Sequence, residues 1–382
     1  MRRRSLAVLI AARCFQGLGA AAIFSVNIAM VTRAFPPEER GRALGINMVV
    51  VALGTSLGPS LGGVLTGTLS WRWIFYVNVP IGAILIFAVW RALTERHRIE
   101  RQQFDLMGAA LLAVGLGALT LGLSFGQEWG WGSLRFLASM VIGVSALALT
   151  ALAERHSPAP ILSPALLHNR VFVFANVSFV MTMLALFAIG FLLPFYFEDL
   201  RGFNTVQSGL LLTPLSLTLA AVAPLSGTFA DRVGWRWQSP LGLAIACAGL
   251  LLLSTLNQTS PISYIVLCLV VAGVGQAIFT SPNSKVMMGA ASPSEQGVAS
   301  GILATGRTIG QGRSVAVAGA VFTSWGSAAA GSALAAGRGS LSSEQVQALQ
   351  QTFVAGMHAA FVVCAAVAAI GVVTAVVRGR GL

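Results

Sequence analysis

Charge is the first thing this sequence lacks. Only 9% of its residues are Asp, Glu, Lys or Arg, against about 25% in a soluble domain. Acid is scarcer than base, at 12 Asp and Glu against 24 Lys and Arg, and lysine occurs once, as Lys285. The net charge of +12 is therefore almost all arginine. In a soluble chain such a balance would suggest nucleic acid; in one this apolar it sorts to one side of a bilayer. Cysteine is limited to Cys14, Cys247, Cys268 and Cys364, each in an apolar run without metal-ligand spacing, so these read as small core residues. No phosphate-cradling glycine loop precedes Lys285, and no His/Cys cluster or nucleophile–base pairing is visible. Enzymatic chemistry, ATP-driven pumping, a metal and a cofactor are not indicated.

What the sequence has in excess is hydrophobic residues, 56% of the chain. Runs able to cross about 30 Å of hydrocarbon number eleven: 6–31, 43–66, 74–93, 106–125, 134–153, 171–196, 208–229, 239–256, 262–283, 298–324 and 353–377. The expected fold is an all-α polytopic membrane protein with about 11 transmembrane helices and short loops, except 326–352, which is Gly/Ala/Ser-rich and then Gln-rich. Segments 32–42, 91–104, 154–170, 230–238, 284–297 and the C-terminus hold 14 basic residues, and the opposite loops hold 4. The positive-inside rule places the first set, with the C-terminus, in the cytoplasm of a cell-membrane protein.

Arg2, Arg3 and Arg4 break that pattern, because an odd number of spans leaves them outside. Either Met1–Ala12 is a signal peptide, or a beginning is missing. An internal repeat supports the second reading. Pro36–Ile46 aligns without gaps on Ser292–Ile302 at an offset of 256, with six of eleven positions identical. The same offset carries Gly17, Gly19 and Ala21 onto Gly273, Gly275 and Ala277. Repeated halves mark transporters. The second half has six spans from about Val171, so the repeat implies about 85 residues, three helices, ahead of Met1.

The stretch Gly54–Gly63 sets Gly54, Gly58 and Gly62 at i, i+4 and i+8, on one helix face that a neighbouring backbone can approach closely. Pro59 should bend that helix. With Gly63 the stretch reads G-x-x-x-G-P-x-x-G-G, which resembles the antiporter motif of the major facilitator superfamily, in its 14-helix drug:H+ antiporter branch. Three further motifs extend the resemblance over essentially the whole chain. Arg13, Gln16, Gly17 and Gly19 are similar to the R-x-x-Q-G-x-G motif of the family's fourth helix. Trp71–Gly82 resembles a signature of the 14-helix branch. Gly227, Asp231, Arg232, Gly234 and Arg236 resemble the second copy of the family's G-x-L-A-D-R-x-G-R loop. The resemblance implies the remainder of an N-terminal bundle over 1–93, two central helices with cytoplasmic loops over 94–170, and a C-terminal six-helix bundle over 171–382. Arg313 departs from the family, standing where a small residue is expected.

On the first span, Arg13, Gln16, Gly17, Ala20, Phe24 and Asn27 form one stripe. An arginine in hydrocarbon costs at least about 2.5–3.5 kcal/mol unless it faces a wet cavity or a partner, so the stripe reads as a cavity face. Gln276, Phe279 and Asn283 are the pseudo-symmetric set, and Asn176 joins them; amide and aromatic groups suit a bulky lipophilic substrate. Asp231 and Arg232 sit at a helix end, where Arg232 is expected to pair with Asp231 or a helix C-terminus and latch two halves. No Asp or Glu lies well inside any span. The resemblance implies protons as a partner, yet the acid that the family carries on its first helix is not in this chain. The expected function is secondary active, proton-coupled export of small lipophilic compounds by alternating access. Two alternatives stand beside it: a truncated, non-transporting membrane protein or interaction partner, and an uptake transporter for a small nutrient.

Overall fold

The computed structural model describes residues 3–36, 38–92, 105–130, 132–154, 166, 168–233, 236–292, 295–337 and 341–380, and among these the regular structure is entirely helical. The helices are α1 (Arg3–Ala34), α2 (Arg40–Thr68), α3 (Trp73–Tyr76), α4 (Asn78–Ala92), α5 (Leu106–Trp129), α6 (Leu134–Glu154) and α7 (Arg170–Phe195). After a π-helical turn (Tyr196–Leu200) come α8 (Thr205–Val233), α9 (Gln238–Leu253), α10 (Ile262–Gly289), α11 (Gln296–Ser324), α12 (Ser327–Ala336) and α13 (Ser343–Arg380). Every expected span falls on a helix. Among the described residues, seven helical segments are long and apolar enough to cross a membrane; α9, α12 and Leu106–Gly122 of α5 are shorter apolar helices. The long helices α2 and α11 fall outside both sets.

Two boundaries differ from the expectation. The segment 326–352 is not a loop: it holds α12 and the opening turns of α13. Alanine is the best helix former, and the Gly/Ala/Ser stretch uses it. Gly326, at φ 74, turns the chain out of α11. The Gln-rich part starts a helix through a reciprocal cap, in which the Ser342 N–H donates to Gln345 Oε1 (3.0 Å) and the Gln345 N–H to Ser342 Oγ (3.3 Å). The span 74–93 is interrupted at Val77, giving α3 and α4.

The core lies among α7, α9, α10, α11 and α13, where Phe172, Phe179, Phe279, Phe353 and Phe361 are fully buried. In lipid, helices associate through close packing and interhelical hydrogen bonds rather than hydrophobic drive. Glycine provides that closeness here: Gly275 lies against the Ala246 backbone, Gly249 against Ala272, and Gly310 against Met183 and the Val180 carbonyl. At the far end of α7, the Tyr196 hydroxyl donates to the Asn257 carbonyl (2.7 Å), and Arg201 donates to that hydroxyl and to the Ser260 carbonyl (2.7 Å). His358 packs at this end with Nε2 on the Leu256 carbonyl. By contrast no described side chain of α4 is buried: Ile84, Ile86 and Trp90 are exposed, as suits a lipid-facing helix.

Candidate functional site

A polar junction joins the first turns of α2 to α8 and α10. Asp231, at the end of α8, accepts from the Gly41 N–H (3.1 Å) and the Arg42 N–H (3.0 Å). These are donors that a helix cannot satisfy in its own first turn. Its carboxylate also pairs with Lys285 of α10 at 2.5 Å, and the Asp231 side chain is 8% exposed. Ser281 donates to the Gly41 carbonyl (3.0 Å). Such contacts need two backbones nearly touching: a Cβ on Gly41 would lie 2.5 Å from the Gly227 carbonyl oxygen, and one on Gly45 would lie 2.6 Å from the Ala223 carbonyl oxygen. Gly227 and Asp231 therefore act at one contact. Arg232 was expected to pair with Asp231 or with a helix C-terminus; the structure gives Asp231 to Lys285 and the α2 N-terminus, while Arg232 and Arg236 are exposed. The reason is helical geometry, since adjacent residues diverge by about 100°. Gly234 lies outside the described residues.

Among the described side chains of α1, burial is confined to the same end. Ile28, Ala29 and Thr32 are buried, whereas Val8, Phe15, Leu18 and Ile23 are each 67–77% exposed. Arg40 closes the α1–α2 turn by donating from Nε to the Thr32 carbonyl (3.0 Å). Asn27 and Asn47 exchange hydrogen bonds through their amides (3.1 and 3.4 Å), pinning α1 to α2. Further along α1, Arg13 donates to Gln16 (2.9 Å) and sits 4.7 Å from the Phe75 ring centroid. Arg13 and Phe75, with Leu9, Ile10, Cys14, Trp71 and Ile74, border a cavity of about 590 Å³, and Gln16 is not part of its lining. Phe24 is exposed and lines no part of that cavity.

The proposed second-half cavity set divides. Asn176 and Gln276 are half-buried, and Asn176 Oδ1 faces Gly306 across the α7–α11 seam. Phe279 and Asn283 are fully buried and line no opening in this conformation. The Phe279 backbone faces Gly242 of α9. Asn283 donates to the Ala175 carbonyl (3.1 Å) and accepts from Arg378. A helical wheel groups residues on a face without saying whether that face meets a cavity or another helix, and here Phe279 and Asn283 are packed against neighbouring helices.

The glycine face of α2 also departs from the expectation. A Cβ at Gly54, Gly58 or Gly62 would meet nothing within 4 Å, so no described helix packs there. The helix runs unbroken through Pro59 and Gly63, whose surroundings lie outside the described set. The internal repeat makes this face informative. Its offset of 256 carries the three glycines onto Gly310, Ser314 and Ala318, all buried, with Gly310 against α7. Gly17 and Gly19, likewise open, map onto Gly273 and Gly275, which lie against α8 and α9. Conversely Gly41 and Gly45, which touch α8, map onto Gly297 and Gly301, where a Cβ meets nothing within 4 Å. Sequence reasoning missed Gly41, Gly45, Ser281, Asn47 and Lys285; the chain's single lysine was the available signal.

The sequence profile of the Major Facilitator Superfamily matches residues 4–315. The chain is 34% identical over 325 residues to the multidrug resistance protein Stp of Mycobacterium tuberculosis, covering 85% of this chain and 60% of that protein. It is 33% identical over 325 residues to the uncharacterized transporter YebQ of Escherichia coli, covering 84% and 70%. It is 30% identical over 322 residues to the tetracenomycin C resistance and export protein of Streptomyces glaucescens, covering 84% and 60%. The chain thus spans about 60% of the length of the first and third of these relatives. With helices suited to a bilayer and no enzymatic motif, the chain is a multi-pass integral membrane protein that belongs to the Major Facilitator Superfamily, a family of small-molecule transporters.

Proposed function

We propose that this chain works as a secondary active exporter of small lipophilic compounds, moving them by alternating access with proton antiport as the drive. The observation that carries this reading is the Asp231 junction. One carboxylate holds the N-terminus of α2 and Lys285 of α10, so the arginine-rich ends of two helix groups are joined while the outer part of α1 stands open. That is the geometry of a bundle pair closed at one end, able to rock about a midplane site. By loop charge the joined end is cytoplasmic, and the C-terminus lies with it. The α5–α6 pair fits the two central helices of the 14-helix branch: Gly115 packs on Leu147 and Gly143 on Leu119.

The open glycines support a further part of the reading. Gly54, Gly58 and Gly62, then Gly17 with Gly297 and Gly301, then Gly19, present seats whose repeat copies are filled by α7, α8 and α9 respectively. A three-helix unit arranged like α7–α9 fits all three seats, and in the family it also brings the membrane-embedded acid that proton antiport needs.

Inverted vesicles carrying the chain are given an acid interior and a fluorescent lipophilic dye. Dye accumulation that an uncoupler abolishes is expected; no accumulation, with or without the three-helix unit, overturns the reading. The open seats favour a second reading, a chain that keeps the fold but does not transport by itself. Pumping only when such a unit is supplied supports that reading. Dye movement in the opposite direction under the same gradient identifies an uptake transporter.

A further inference from the structure

The charges well inside the spans are all of one sign. Arg13 lies in α1, Arg307 and Arg313 lie in α11, and no Asp or Glu lies well inside any span. Arg313 stands near the middle of α11, is half-buried, and makes no hydrogen bond or ion pair among the described residues. At about 100° per residue, it lies about 60° around the helix from Gly310, which packs on Met183 of α7. It lies about 180° from Phe322, whose ring meets Phe353 of α13 at 5.1 Å. Its side chain is therefore directed away from α13, beside the α7–α11 seam. On the other flank of Gly310, the fully buried Ser314 hydroxyl has no hydrogen-bond partner among the described residues.

We propose that the compound handled by this chain carries a carboxylate on a lipophilic body, and that Arg313 is the specificity-determining residue that holds it. The proposal deepens the export reading and rests on it. A guanidinium at this depth costs at least about 2.5–3.5 kcal/mol without a counter-charge, and its planar fork fits a carboxylate with two parallel hydrogen bonds. A lipophilic cation would meet the like charge of Arg313 there.

The full chain in lipid nanodiscs is titrated with pyrenebutyrate, its methyl ester and a pyrenebutyl trimethylammonium, with empty nanodiscs as the partition baseline. The carboxylate is expected to bind at least tenfold more tightly than the ester, and the cation most weakly. Arg313→Gln should reduce carboxylate binding to the level of the ester, whereas Arg135→Gln, at the start of α6, should leave the preference unchanged. Removing a lone intramembrane charge relieves its burial cost, so Arg313→Gln should melt no lower than the parent. If it melts lower, Arg313→Lys decides, because loss of the fork should weaken the carboxylate and spare the ester. Equal binding of the three probes, or a preference that survives Arg313→Gln or Arg313→Lys, overturns the proposal. Dye pumping without carboxylate preference removes the anion assignment and leaves export standing; carboxylate preference without pumping does the reverse.

Discussion

Asp231→Asn tests the junction most directly. The carboxylate accepts two backbone N–H groups of α2 and pairs with Lys285 while only 8% exposed. Hydrogen bonds to a charged group contribute about 1.5–3 kcal/mol each, and a charge at a helix N-terminus adds about 0.3–1 kcal/mol. Asparagine keeps one acceptor oxygen, so it retains one of the two amide contacts and loses the charge. The expected net loss is about 2–3 kcal/mol, which shifts the junction's opening equilibrium about 30- to 150-fold. The amides of Gly41 and Arg42 exchange with solvent only when Asp231 departs, so hydrogen–deuterium exchange reads that equilibrium locally. Peptides covering the first turn of α2 should lose protection by that factor, while peptides from the α9–α10 contact should not change. Asp231→Glu should restore part of the protection. Unchanged exchange in the first turn of α2 would refute the reasoning, because the junction would then be an accident of proximity.

Gly227→Ala places a methyl group 2.5 Å from the Gly41 carbonyl carbon and 2.8 Å from Ser281 Oγ. Overpacking of this kind costs about 1–3 kcal/mol, so the melting point should fall by several degrees, and an unchanged one would show that the backbones are not in contact. For the Asn27–Asn47 pair, a double-mutant cycle with Ala at each position should give a coupling of about 0.6–2 kcal/mol in thermal unfolding; zero coupling would remove the α1–α2 pin. Gly58→Val should be neutral for the melting of this chain, within about 0.5 kcal/mol, because a Cβ there meets nothing within 4 Å. With the three-helix unit present, the same substitution should abolish pumping, since the seat would be blocked.

How much of this was legible in the sequence follows from what the bilayer demands of a chain. A span must be about 20 apolar residues long and satisfy its own backbone, so hydrophobicity located the helices, although among the described residues only seven segments are long and apolar enough to cross a membrane and α2 and α11 are not among them. No such demand governs a ten-residue alanine-rich helix at the membrane edge, and α12 was read as a loop. The family was legible because glycine, proline and arginine at fixed spacings record backbone approaches that few other residues allow. Its contacts were not. Asp231 and Lys285 are 54 positions apart, and nothing local in the sequence pairs them. Asn27 and Asn283 occupy equivalent places in the repeat, yet one pairs with Asn47 and the other with Ala175 and Arg378. At this pair the repeat carries the amide from one half to the other but not its partner. Gly54, Gly58 and Gly62 have the spacing of a buried seam, and Gly310 in the other half shows such a seam filled. The sequence specifies the seat, and only the helix that fills it can make it a moving joint.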